Sequence, residues 1–196
     1  IYDDLMYRHW NSWADGSYSH LFVAPYPSLS QPKDLLEGKK FHAPVPPFGG
    51  MEQISWSPDG QRVVYCCKQE TGKVFAESTN TDILLYDLTS GKTENLSAFN
   101  EGYDVDPVFS PDGKQLAWVS MQTPGFESDK KRLFLYNFAT GKATDYSADF
   151  DLSAENLVWN SEGNRLYFLG CTNATYQIFA LDLGKKEITQ LTEGDH

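Results

Sequence analysis

The chain has 196 residues, of which 40% are apolar, 14% aromatic and 22% charged: ample mass for a packed core, too little charge for a disordered chain or a coiled coil. Its 27 acidic residues against 16 basic ones leave a formal charge of −11, which argues against a nucleic-acid backbone or an anionic membrane surface as partner. No apolar run approaches the ~20 residues of a membrane span.

In chain order, the first segment is 1–18. Tyr2, Leu5, Met6, His9, Trp10 and Trp13 fall on one helical face, with Asp3 and Asp4 near the start, so "YDDLMYRHWNSW" reads as a short amphipathic helix or an ordered loop lying against the rest. The opening Ile1-Tyr2-Asp3-Asp4 has neither an initiator Met nor the basic, then apolar, pattern of a signal peptide, and suggests a mature form or an excised piece. Two short extended runs follow within 19–40, "SHLFVAPYP" and "PKDLLEG". The Pro-rich stretch 41–50, "HAPVPPFGG" at its centre, is a connector.

From here the sequence repeats. Trp56, Phe109 and Trp159 precede the turns "SPDG" (57–60), "SPDG" (110–113) and "NSEG" (160–163), at spacings of 53 and 50 residues. A second element returns in step: "DILLYDLTSGKTENLS", "RLFLYNFATGKATDYS" and "QIFALDLGKKEITQLT". Each unit resolves into four runs rich in β-branched and aromatic residues, bounded by turn signals. The first unit reads "EQISW", "QRVVYCC", "ILLYDL" and "TENLS". Four antiparallel strands every ~40–50 residues make the blade of a β-propeller, so the fold class is all-β. The blades are expected at 51–98, 105–148 and 155–193, with 19–40 imitating the outer half of an earlier one. Three and a half blades fall short of the four to eight of a closed ring, so the chain is expected to be a partial propeller with raw edges that invite self-association; a four-bladed ring closed by the two ends is the rival.

In the turn itself, Ser opens a type I turn, Pro presets φ, Asp tolerates the third place and Gly supplies the positive φ. "NSEG" keeps the Gly and loses the Pro, which a turn survives. SPDG is therefore read as architecture and not as a chemical site. Alternation along "RVVYCCK" turns one of Cys66 and Cys67 inward and the other outward, and all three cysteines read as packing thiols.

Antiparallel order puts SPDG and the TSGK-type turns on one face of the propeller. The longer connections, such as "QETGKVFAESTNT", "QTPGFESDKK", "SAFNEGYDV" and "SADFDLSAE", lie on the other, where binding usually resides. That face is acidic and aromatic. Glu101, Tyr103 and Asp104 in one connector, beside Asp106, and Asp149 and Asp151 in the next, beside Phe150 and Glu155, are the candidate substrate-binding residues: a rim able to attract a cation such as a peptide amine. An acidic protein with polar loops accounts for the same pattern.

No G-x-S-x-G elbow, metal-spaced His or Cys set, P-loop or G-x-G-x-x-G is present, so no catalytic residue, metal or cofactor is expected; carboxylates are plentiful, but nothing singles out a glycosidase-type pair.

The turn "SPDGK" preceded by an aromatic and followed by "QLAWVS" resembles the PD40/TolB-like repeat of TolB and of the propellers of prolyl-oligopeptidase-family (S9) serine peptidases. The segment "DDLMYRHWNSWADGSYSHLFV" resembles a stretch inside the propeller of dipeptidyl-peptidase 5 and acylaminoacyl-peptidase-like enzymes of the Bacteroidetes type. The resemblance implies a periplasmic or secreted parent acting on short peptides. It implies further blades and a C-terminal α/β-hydrolase domain that carries the Ser, Asp and His, with the propeller as gate and substrate-positioning scaffold. No triad residue maps onto these positions, and the Glu-Glu amine clamp of dipeptidyl-peptidase IV relatives is missing, so the chain alone is expected to be inactive. The rival reading is a TolB-like module that binds proteins in the cell envelope.

Overall fold

The computed structural model describes residues 5, 7–9 and 11–195. Its first elements are two-residue strands, β1 (Arg8–His9) and β2 (Ser12–Trp13), paired as a tight hairpin. Of the short helix or ordered loop expected there, the described part forms this hairpin and no helix; Tyr2, Met6 and Trp10 of the expected face, with Asp3 and Asp4, lie outside the described residues. The hairpin holds Trp13 in the open, its ring beside the Arg8 guanidinium at 5.7 Å and 70% exposed, so this indole is not a core residue.

Three four-stranded antiparallel meanders follow. The first joins β5 (Ile54–Trp56), β6 (Arg62–Cys67), β7 (Asp82–Asp87) and β8 (Thr93–Asn95), and the second β9 (Asp104–Phe109), β10 (Gln115–Ser120), β11 (Arg132–Asn137) and β12 (Lys142–Asp145). The third joins β13 (Glu155–Trp159), β14 (Arg165–Thr172), β15 (Thr175–Asp182) and β16 (Glu187–Gln190). Before them stands a two-stranded sheet, β3 (Phe22–Val23) with β4 (Lys33–Asp34). The fold is a partial, unclosed β-propeller.

Why these runs become blades is visible in their burial. A middle strand has a neighbouring blade on each side, so both of its faces are apolar: Leu116, Ala117, Trp118 and Val119 of β10 are all at most 1% exposed. The same geometry corrects the reading of the paired cysteines. Cys66 packs into the core shared with the second and third blades and Cys67 into the one shared with Leu35, Leu36 and Ala43. Both are fully buried, and burial pushes both thiols up. Cys171, by contrast, is exposed and does not pack in a core.

The SPDG turns are type I turns closed by Gly60 N–H to the Ser57 carbonyl and Gly113 N–H to the Ser110 carbonyl. Ser57 Oγ accepts the N–H of Arg62 and Ser110 Oγ that of Gln115, each at 2.9 Å. In "NSEG" the Asn160 amide oxygen accepts the equivalent N–H of Arg165 at 3.0 Å, which is why the turn tolerates the change. Among the described residues Asp59 and Asp112 bond only to the Ser of their own turn and the residue just after it. Hydrogen bonds from Ser110 and Lys114 hold the Asp112 carboxyl down at about 2. Gly60 sits at φ +67 with open space where a Cβ would stand. Gly60→Val is therefore expected to cost more than ~1 kcal/mol through backbone strain alone, and Asp59→Asn or Asp112→Asn much less, as read by urea denaturation. Equal, large losses from all three would overturn the architectural reading of the turn.

Neighbouring blades meet through the residues flanking these turns. Trp159 donates its indole N–H to the Val108 carbonyl of the preceding blade at 3.2 Å. Arg62 reaches forward over the stacked Phe109 and Phe138 rings and donates to the Gly113 carbonyl. Trp56, at the equivalent place in the first blade, has no inner strand before it and is 50% exposed. The far face of the third blade is bare in the same way. Leu133 and Val119 of the second blade are buried, whereas their counterparts Ile178 and Leu169 are not, and Ile178 is 41% exposed with Val158 and Tyr176 beside it above 50%.

Candidate functional site

The longer loops share one face, as the antiparallel order requires, and they are ordered by their own polar groups. The β6–β7 connection carries a short helix, α1 (Gly72–Glu77), with the Lys68 ammonium over the Phe75 ring and bonded to the Ser78 carbonyl. In the β10–β11 connection Asp129 accepts the N–H groups of Gln122 and Thr123. The two loops are tied by Gly125 N–H to Thr79 Oγ1 at 2.9 Å. The third loop is far shorter than its counterparts: Asn173 and Ala174, both at positive φ, turn β14 directly into β15.

The candidate rim residues separate into three groups. Glu101, Asp149 and Asp151 are exposed on this face. Tyr103 is half-buried; its phenol is pushed up to about 12 by burial, with the nearby Asp106, Cys66 and Glu52 acting in the same direction. Asp104 is not on the rim at all. It is fully buried, taking the indole N–H of Trp118 on Oδ1 and the Asn100 amide on Oδ2, both at 3.0 Å, while its backbone N–H and carbonyl both bond the Thr81 hydroxyl. A carboxylate so enclosed cannot touch a ligand from solvent; it fastens the connector between the first two blades. Burial raises its carboxyl to about 6 against the pull of those hydrogen bonds.

A second acidic group stands near the inner strands. Asp106 occupies a β-bulge opposite Trp118 at φ +57, a left-handed position that bends β9. Burial raises its carboxyl, Lys131 opposes that, and Glu52 and Glu155 reinforce it. Lys131 is bonded to Glu155 at 2.9 Å. Among the described residues no group of three or more His, Cys, Asp or Glu side chains is arranged to hold a metal ion. His20 is bonded to Asp34, and His42 accepts the Ser19 N–H. Glu52 was not legible as part of this group, because it reaches the cluster through a one-turn 3-10 helix, Met51–Gln53, and not through a loop run.

Glu101 also borders an open groove of about 600 Å³ between the blade connector and the β10–β11 loop, lined by Phe99, Gln122, Pro124, Arg132, Phe134 and their neighbours. Asp149 and Asp151 are not among its lining residues. Phe99 and Arg132 were missed in the sequence, being 33 residues apart and each unremarkable in its own strand or loop.

The architecture is that of a TolB-like β-propeller segment. TolB from Acinetobacter baumannii superposes over 89% of this chain and 37% of its own with a TM-score of 0.55 at 20% identity. A Mycobacterium tuberculosis puromycin-hydrolyzing peptidase does so over 84% of this chain and 26% of its own, with a TM-score of 0.60 at 19% identity. An oligogalacturonate lyase solved with manganese reaches a TM-score of 0.65 at 14% identity over 91% of this chain and 48% of its own. At such identities the likeness is one of fold. No family model matches the chain. In sequence, the whole chain is homologous to dipeptidyl-peptidase 5 of Porphyromonas gingivalis, with 42% identity over 198 aligned residues. It spans 29% of that relative's length. No described helix is long and apolar enough to cross a membrane.

Proposed function

We propose that this chain is the propeller segment of a dipeptidyl-peptidase-5-like serine peptidase of the periplasm or the extracellular space. There it restricts access to short peptides and helps to position them, while the catalytic Ser, Asp and His stand in an α/β-hydrolase domain elsewhere in the protein. The observation that carries this reading is homology over the full chain at 42% identity to a protein named for that activity. The acidic loop-rich face supports it, since exposed Glu101, Asp149 and Asp151 suit the free amine of a peptide. A TolB-like protein-binding module is the second reading; it rests on fold likeness at 20% identity, which carries less.

Incubated with dipeptidyl and acylaminoacyl chromogenic substrates, the chain alone is expected to give no turnover. Turnover abolished by a serine-directed reagent would sink the scaffold reading. The bare face with Val158, Tyr176 and Ile178 is proposed to receive a further blade in the longer protein, and to drive self-association of the isolated chain. Light scattering is expected to show a mass that rises with concentration for the native sequence and stays monomeric for Ile178→Lys.

A further inference from the structure

Arg132 begins β11 at the loop-rich face, and its counterparts in the other two blades are Asp82 and Gln177, which pair with Cys67 and Gly170 as Arg132 pairs with Ser120. Both counterparts are fully engaged. The Asp82 carboxylate takes the Gln69 amide and is bonded by Asn95 and Ser97. Gln177 donates to the Gly194 carbonyl at 2.7 Å and accepts the Thr192 hydroxyl at 2.7 Å. Arg132 is not: among the described residues its Nε is buried without a hydrogen-bond partner, and its Nη1 lies 3.8 Å from Asp145 Oδ2, beyond hydrogen-bond reach. Asp145 spends its other oxygen on the N–H and hydroxyl of Ser147. The side chain is nevertheless 17% exposed only, held over the Phe134 ring at 5.0 Å. Burying the Nε–H without a partner is costly; the Nη groups are not buried in that way, and their ion pair with Asp145 is long, at 3.8 Å.

The surroundings give the Nη edge a use. Arg132 faces the groove whose apolar wall is Phe134, itself stacked on Trp118, and Phe99, which lies 5.6 Å from Phe134 and is 58% exposed. A planar fork of donors beside an aromatic slab matches a carboxylate carried next to an apolar group. We propose that this groove binds such a carboxylate, the ion meeting the Nη edge of Arg132 and the apolar group lying against Phe99 and Phe134. Glu101 on the rim and the net charge of −11 oppose free anions, so the aromatic contact is required and polyanions are rejected. This inference does not rest on the peptidase reading.

The test is calorimetric titration of the intact chain with N-acetylphenylalanine and with its amide. The acid is expected to bind at least tenfold more tightly than the amide. Arg132→Gln is expected to erase that difference, Phe99→Ala to weaken the acid severalfold, and Glu101→Gln to tighten it. Phe99 and Glu101 are exposed, so their variants keep the proposal testable even if Arg132→Gln does not fold. Equal binding of acid and amide, or a loss of binding in Glu101→Gln, would overturn it; so would displacement of the acid by inorganic phosphate at the same concentration. A doubly capped Phe-Asp peptide forms the second arm: tighter binding of N-acetylphenylalanine assigns a peptide C-terminus, tighter binding of the capped peptide an acidic side chain, and each upholds the carboxylate site.

Discussion

Asp104→Ala is expected to destabilise the isolated chain by about 3 kcal/mol or more, because it strands the buried Trp118 N–H and takes from the Asn100 amide one of its acceptors, the others being Ser120 and the Met121 carbonyl. Urea denaturation followed by Trp fluorescence reads the loss directly; a change below ~1 kcal/mol would mean that water or a shifted side chain replaces the carboxylate. The same residue has a pH signature with a definite sign. Its carboxyl titrates at about 6 in the fold and near ~3.9 unfolded, so between those values the unfolded chain is ionised while the folded one keeps the proton. The unfolded state then binds fewer protons, and stability contributed by this group, full below the unfolded value, is lost as pH rises through the folded one. The gap between the folded and unfolded values corresponds to about 2–3 kcal/mol as an upper figure. Asp82 and Asp106 are raised in the same direction, whereas the exposed turn acids such as Asp112 are lowered, so the whole-chain profile mixes signs. The comparison that isolates Asp104 is with Asp104→Asn, which has no proton to lose but offers one acceptor where two donors converge. That substitution is expected to cost more at pH 4.5 than at pH 7.5; a cost independent of pH would contradict the raised carboxyl.

The parts of the fold that were legible are those decided locally. Trp56, Phe109 and Trp159 sit before turns whose chemistry is complete within five residues, and the blade period follows from that alone. Residues 8–13 left helix and ordered loop both open because apolar residues three and four apart fit a helix on paper, while the chain closes a hairpin with Trp13 set against Arg8 and Tyr7. The rim was harder for a different reason. Glu101, Tyr103, Asp104 and Asp106 are neighbours in one polar run, and nothing in that run says which of them turns inward. What decides it is Trp118, on the next strand, whose indole needs an acceptor where Asp104 stands. Arg132 and Phe99 illustrate the same limit: each belongs to a different element, and only blade packing joins them at one groove.

Gly102→Val is the second large effect expected, and it arises by a mechanism opposite to that of Gly60. A Cβ at position 102 would lie 2.0 Å from the Met121 carbonyl oxygen and 2.9 Å from its carbon, both backbone atoms that cannot swing aside. The chain is zipped on either side of the contact: Thr81 N–H bonds the Gly102 carbonyl, Met121 N–H bonds the Tyr103 carbonyl, and the Asn100 amide bonds the Met121 carbonyl. Relief therefore requires pulling the connector away from the second blade, at a cost of about 3 kcal/mol or more, against the ~1–2 kcal/mol of left-handed strain in Gly60→Val. Even Gly102→Ala should exceed Gly60→Ala, and a denaturation series of the four variants ranks space against strain; equal losses at the two positions would show that the connector yields. Asn100 links this contact to Asp104, since one amide serves both the Met121 carbonyl and the Asp104 carboxylate. Once Gly102→Ala has lifted the connector, Asp104→Ala has fewer bonds left to break, so the double variant is expected to lose less than the two single losses together. Strict additivity would mean that Asp104 and Gly102 hold the connector independently, and that the amide of Asn100 does not couple them.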